Sequence, residues 1–201
     1  MSLKTFVKIS NVSSLSDARY CAGMGVDILG FNIDPTSSSR ISPEDYKEIT
    51  DWVAGVEFAG EFDSADADEI KRTVKDYPIS YVQLSKLDLV EKIGLLGIPL
   101  IFKADIDAEK DLTDLSHTLS YLDELATIVI LKTSNQELVD ELDKIISFYN
   151  GNIKLLKGFQ VIPSDSIHKF PGLEMQATKE EKPGLKDYGE IMDVLEILDA
   201  D

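Results

Sequence analysis

Thr5-Phe6-Val7-Lys8-Ile9-Ser10, then Leu15 through Met24, then Asp27-Ile28-Leu29-Gly30-Phe31-Asn32-Ile33: the first 33 residues read as strand, helix, strand. The two outer runs are short and apolar, rich in Val, Ile, Leu and Phe. The middle run sets Ala18, Cys21 and Ala22 on one face at helical spacing. A strand that returns through a helix pairs in parallel with its predecessor. Parallel strands are covered on both faces, which is why they read as continuous apolar runs.

The same alternation continues along the chain. Ser42-Pro43-Glu44-Asp45 is a helix start, with a serine cap, proline in the first helical position and acids in the first turn. Val53–Phe62 is the third strand and Ala65–Asp76 the next helix. Ile79–Leu84, Pro99–Lys103, Thr127–Lys132, Ile153–Lys157 and Gly172–Gln176 recur as strands. Tyr188–Leu198 closes the series as a strongly periodic helix. Eight strand-then-helix units in about 200 residues close as a single-domain (β/α)8 barrel spanning residues 1–201. An open doubly wound sheet is the alternative, but no strand here is followed by a glycine-rich dinucleotide turn.

Composition bounds the function. Hydrophobic residues make up 43% of the chain, enough for a large core. With 37 acids against 20 bases the net charge is −17, which opposes nucleic acid and anionic membrane surfaces as partners. The same field weakens long-range capture of a phosphorylated substrate unless a local lysine or backbone N–H cluster overrides it. No apolar run is long enough to cross a bilayer, and Met1–Lys4 does not open a signal peptide. Cys21 is the single cysteine, so neither an intrachain disulfide nor a thiolate cluster is expected. The expected setting is cytoplasmic. No spacing of His, Cys or carboxylates reads as a metal set, and no cofactor is implied.

Residues 7–33 resemble the opening of the phosphoribosylanthranilate isomerase family, the tryptophan-pathway barrel. The family pattern V-K-I-C-G-I-T, D-A, G-A-D-x-x-G-F meets Val7-Lys8-Ile9-Ser10-Asn11-Val12-Ser13, Asp17-Ala18 and Gly25-Val26-Asp27-Ile28-Leu29-Gly30-Phe31. Pro35 through Arg40 to Ile41-Ser42-Pro43-Glu44-Asp45 is similar to P-x-S-x-R-Y-I-S-P-E-D. Tyr81-Val82-Gln83-Leu84 is similar to A-V-Q-L, and Pro183-Gly184-Leu185-Lys186-Asp187 to P-G-x-K-D. The resemblance is dense over the first 85 residues, patchy to 151 and sparse afterwards.

The resemblance implies an Amadori rearrangement, an aldose-to-ketose isomerisation of a phosphoribosyl amine. That reaction needs a general base for the C2′ proton, a general acid on the ring oxygen and a grip on the phosphate. Ser10 stands at the family's cysteine base. A thiol titrates near ~8.5, whereas a serine alkoxide is out of reach near neutral pH without a partner base. Lys132 stands at the aspartate acid, either as an altered acid or as half of a structural ion pair with Glu61, which replaces a family valine.

The family's phosphate loops are reduced as well. Thr133-Ser134-Asn135-Gln136 has no glycine, Lys157-Gly158 keeps one, and Glu174-Met175-Gln176-Ala177-Thr178 replaces the last loop. In the loop before Ile41, Ser39 aligns with the family arginine and Arg40 with the tyrosine after it. His117 and His168 read as surface residues.

Three readings follow. In the first, the chain is a divergent barrel that has lost or changed the isomerase activity and binds a small anionic or sugar-phosphate ligand at its mouth. Arg40, Glu61, Lys103, Lys157 and Gly158 are its candidate ligand contacts, and Ser10 and Lys132 mark the ancestral catalytic positions. In the second, it is an active isomerase with a rebuilt pair, Lys132 as acid and Ser10 or Asp63 as base. In the third, its acidic exterior binds a basic partner. Monomer and homodimer stay equally open.

Overall fold

The computed structural model describes residues 2–164, 166–177 and 189–200, and within them eight strands and seven α-helices. The strands are β1 (Phe6–Ser10), β2 (Ile28–Asn32), β3 (Glu57–Phe62), β4 (Tyr81–Leu84), β5 (Leu100–Asp105), β6 (Ile128–Lys132), β7 (Lys154–Lys157) and β8 (Gly172–Gln176). The helices are α1 (Leu15–Gly23), α2 (Pro43–Thr50), α3 (Ala67–Thr73), α4 (Val90–Gly94), α5 (Glu109–Leu122), α6 (Val139–Phe148) and α7 (Gly189–Leu198).

Every strand pairs in parallel with the next. β8 returns to β1 from Phe6↔Gly172 through Ser10↔Gln176, so the sheet closes as a (β/α)8 barrel. The β7–β8 seam is the thinnest, with Lys157↔Leu173 as its register pair. Among the described residues of 158–171 the crossing holds no α-helix; a 3-10 turn, Ile167–Lys169, takes its place. Pro163 and Pro171 frame that connection, and each lacks the N–H a helix interior requires.

Local signals fix the helix ends. The Ser14 hydroxyl accepts from Asp17 N at 3.2 Å, and Ser42 from Asp45 N at 3.0 Å ahead of Pro43. Asp66 and Glu69 form a reciprocal capping box at the start of α3. The third strand starts at Glu57, later than the apolar run from Val53 suggests, because Gly55 turns the chain at φ 80°. The motif Pro183–Asp187 lies outside the described residues.

Strand alternation divides the apolar residues into two layers. Ile28, Ala59, Ile101, Ile128, Ile130 and Leu156 fill the barrel interior, with Phe6 and Tyr81 against them. The remaining core, including Val7, Ile9, Phe31, Tyr46, Val129 and Leu195, packs between strands and helices. The interior layer is apolar low in the barrel and polar toward the C-terminal strand ends. That polar rim is where side chains become available for chemistry.

Candidate functional site

On β1 the alternation that turns Val7 and Ile9 to the helices turns Lys8 and Ser10 into the barrel. Lys8 is fully buried, and its ammonium donates to Ser10 Oγ at 2.5 Å and to Glu61 Oε1 on β3 at 2.5 Å. Glu61 accepts a second bond, from Asn11 N to Oε2 at 3.0 Å. Asn11 sits at φ 57°. The family pattern has glycine there, and asparagine is among the few other residues that enter this left-handed region at small cost.

Gly30, inward on β2 between the partners, leaves the room they occupy. A Cβ at that position would run into the Glu61 carboxylate and lie 2.8 Å from Lys8 Nζ.

A second pair spans the other side of the rim. Lys132, at the end of β6, meets Glu174 Oε2 on β8 at 2.7 Å, and the glutamate side chain is 2% exposed. Gly158 makes its space, since a Cβ there would stand 2.8 Å from Ile130 Cγ2 and 3.0 Å from Glu174 Oε2. In a dry interior, a lone charge is costly, and each pair offsets that cost for both members.

A third lysine, Lys103 on β5, donates to Asp63 Oδ1 at 2.6 Å, and Ser85 donates to the same oxygen at 2.6 Å. Burial works to raise the Asp63 carboxyl, but the bonds from Lys103 and Ser85 outweigh it and hold the group below the ordinary carboxylate range. Burial likewise works to lower Lys103, and its bond to Asp63 with the fields of Asp105 and Glu61 lifts it above its usual value.

Beneath this loop, buried Asp34 draws three backbone N–H groups onto one oxygen: Asp63 at 2.9 Å, Ser64 at 2.7 Å and Ala65 at 3.1 Å. Thr36 N and Oγ1 bind the other oxygen. Burial raises the Asp34 carboxyl and these bonds lower it further, to about 2.

Above the pairs, a cavity of about 650 Å3 opens between the ends of β1, β2, β3 and β8. Asn11, Asn32, Ser37, Ser39, Asp63 and Gln176 give it a polar wall, and Val12 and Ile41 an apolar one. Asn32 Nδ2 donates to Ser37 Oγ and Ser39 Oγ at 3.0 Å each, and the two hydroxyls lie 3.0 Å apart.

The structure brings Ser10 and Glu61 together, with Lys8 as the link, and sets Lys132 and Lys103 into separate carboxylate contacts around the rim. The expected pairing of Lys132 with Glu61 does not form; Glu61 serves Lys8, and Glu174 serves Lys132. Lys157 leaves the site altogether. Leu156 is the inward residue of β7, so Lys157 turns outward to Asp143 on α6, with its ammonium 4.0 Å from the Phe159 ring and 4.9 Å from the Phe170 ring. Gly158 supplies no cradle, since its N–H is spent on Leu131 O at 2.9 Å.

Arg40 also stands away from the cavity. Its guanidinium lies 5.8 Å from the centre of the Tyr77 ring, while Ser39 lines the mouth. His117 and His168 are exposed, on α5 and on the 3-10 turn. Among the described residues no three His, Cys, Asp or Glu side chains converge as a metal set, and no helix is long and apolar enough to cross a membrane. Lys8, Glu174 and Gly30 went unassigned in the sequence. A lysine and a glutamate inside strands buried on both faces, and a glycine in mid-strand, are the signals that point to them.

These features define a (β/α)8 barrel whose C-terminal mouth carries closed lysine–carboxylate contacts beneath an open polar cavity. Neither a protein-family model nor a curated protein sequence matches the chain. Among solved structures the fold is that of the phosphoribosylanthranilate isomerases. The enzyme of Thermotoga maritima superposes with a TM-score of 0.73 at 22% identity, over 96% of this chain and 98% of that one. The enzyme of Thermococcus kodakaraensis gives 0.74 at 14% identity, over 98% and 100%. A phosphoribosylanthranilate isomerase in complex with reduced 1-(o-carboxyphenylamino)-1-deoxyribulose 5-phosphate gives 0.71 at 22%, over 96% and 98%. At such identities the likeness establishes the shared fold.

Proposed function

We propose that this chain is a phosphoribosylanthranilate isomerase-like barrel that no longer performs the Amadori isomerisation and keeps its mouth for another small molecule. One observation carries the reading: Ser10 Oγ, at the position of the family's base, accepts the Lys8 ammonium, which Glu61 holds from its other side. A base must take a proton from C2′. Serine does so only as an alkoxide, and its nearest nitrogen already shares its protons between Ser10 and Glu61.

The acid position supports the same reading. Lys132 is turned onto buried Glu174, so giving up a proton to a ring oxygen would leave that carboxylate without its countercharge. The isomerases with this fold include one bound to a phosphorylated compound. Here the lysines expected at the mouth are each engaged by a carboxylate.

The test is genetic complementation of a tryptophan auxotroph that lacks its isomerase, with protein level checked by immunoblot. No growth is expected from the unmodified chain. Growth that disappears with Lys132→Ala would establish the rebuilt acid–base pair instead.

A further inference from the structure

We infer that the mouth cavity takes a small polyhydroxylated compound carrying no phosphate, such as a free sugar; this rests on the reading that the site no longer serves the phosphoribosyl substrate. The volume of about 650 Å3 leaves room for a molecule of that size with bound water. The chemistry of the wall chooses among such molecules. Asn11, Ser39 and Gln176 present amides and a hydroxyl, groups that both donate and accept, while Asn32 spends its amide hydrogens on Ser37 and Ser39 and holds their hydroxyls at the wall. A sugar ring needs this alternation, because each of its hydroxyls also does both.

Asp63 supplies the strong acceptor. Its Oδ1 is occupied by Lys103 and Ser85, while the side chain stays 58% exposed at the cavity.

A phosphate needs the opposite surroundings, with positive charge or a nest of free N–H groups. Among the described residues the cavity wall contains no lysine or arginine, and it includes two acids, Asp63 and Glu190. The nearby cations are committed elsewhere: Lys8 to Glu61, Lys132 to Glu174 and Lys103 to Asp63. Asn11 N, which could have faced an anion, already donates to Glu61. Ser39 occupies the place that the resembling family gives to arginine, so the wall lacks a guanidinium where one would reach the cavity.

Saturation-transfer NMR and calorimetry on the full chain test this with D-ribose, D-xylose, D-glucose, D-ribose 5-phosphate and inorganic phosphate as probes. The expected result is millimolar binding of at least one free sugar, with D-ribose 5-phosphate at least tenfold weaker than D-ribose. Ser37→Ala, at a wall position, should weaken the sugar severalfold while leaving the thermal midpoint in place. Ser39→Arg should shift the preference toward D-ribose 5-phosphate.

Failure of every free sugar to bind would overturn the inference. So would D-ribose 5-phosphate binding as tightly as D-ribose and being displaced by inorganic phosphate. Phosphate binding without turnover of phosphoribosylanthranilate sinks this inference alone. Turnover sinks the reading beneath it.

Discussion

Replacing Lys8 by Met removes the cation at the centre of the rim and leaves the Glu61 carboxylate, 7% exposed, facing an apolar interior. Breaking a buried pair from one side costs about 3–5 kcal/mol, because the surviving charge loses its counterion and regains no water. In a domain of this size each kcal/mol is about 2–4 °C of thermal midpoint. Lys8→Met should therefore melt roughly 6–20 °C below the unmodified chain.

Glu61→Met should cost a similar amount, stranding the Lys8 ammonium with only Ser10 and orphaning Asn11 N. The double variant removes both charges and keeps the volume filled. Its remaining deficit is the unsatisfied Asn11 N–H, about 1–3 kcal/mol, together with the bond that the Ser10 hydroxyl loses, a loss shared with Lys8→Met. Urea unfolding of the four proteins at pH 7 gives the coupling energy directly. It should reach about 3 kcal/mol or more, with the double variant more stable than either single one. Additivity within about 0.5 kcal/mol would mean that the two side chains do not form one buried unit.

Further outcomes follow from the same geometry. Gly158→Ala should lose about 1–3 kcal/mol in urea, because the added methyl meets Ile130, Glu174 and the Leu131 carbonyl within 3.1 Å. Asn11→Val should cost about 1–2 kcal/mol at φ 57°, whereas Asn11→Gly should stay close to the parent. Asp34→Asn should lose about 2–3 kcal/mol near neutral pH, as charge-assisted bonds to the loop after β3 weaken. Asp34 sits at about 2 in the folded chain against an ordinary 3.8. Its contribution is thus complete above the ordinary value and lost as pH falls from there toward 2. A pH series of thermal midpoints should show a shallower acid limb in Asp34→Asn over that window.

The sheet was legible because parallel barrel strands are apolar on both faces, and all eight runs stand out between polar connections. The start of α2 followed Ser42-Pro43, a cap and a proline with one physical role each, whereas the start of β3 was read too early because Gly55 interrupts the apolar run from Val53. The β7–β8 crossing was less legible, since its described residues form a 3-10 turn and irregular backbone, which have no periodicity to read. Site partners were harder still. Lys8 and Glu61 are 53 residues apart, and Lys132 and Glu174 are 42 apart. Each pair skips a strand, so only the closed barrel brings them face to face. Lys157 shows the opposite limit: at the end of a strand, one residue of phase decides between cavity and helix face, and the apolar neighbour Leu156 took the inside.

Turnover of phosphoribosylanthranilate, followed by its fluorescence with purified unmodified chain, decides whether this barrel has lost the isomerisation. Decay at the rate of the protein-free control is expected, with Ser10 and Lys132 both held in their ion-pair networks. Decay well above that rate, diminished by Lys132→Ala in a variant that still folds, would contradict it.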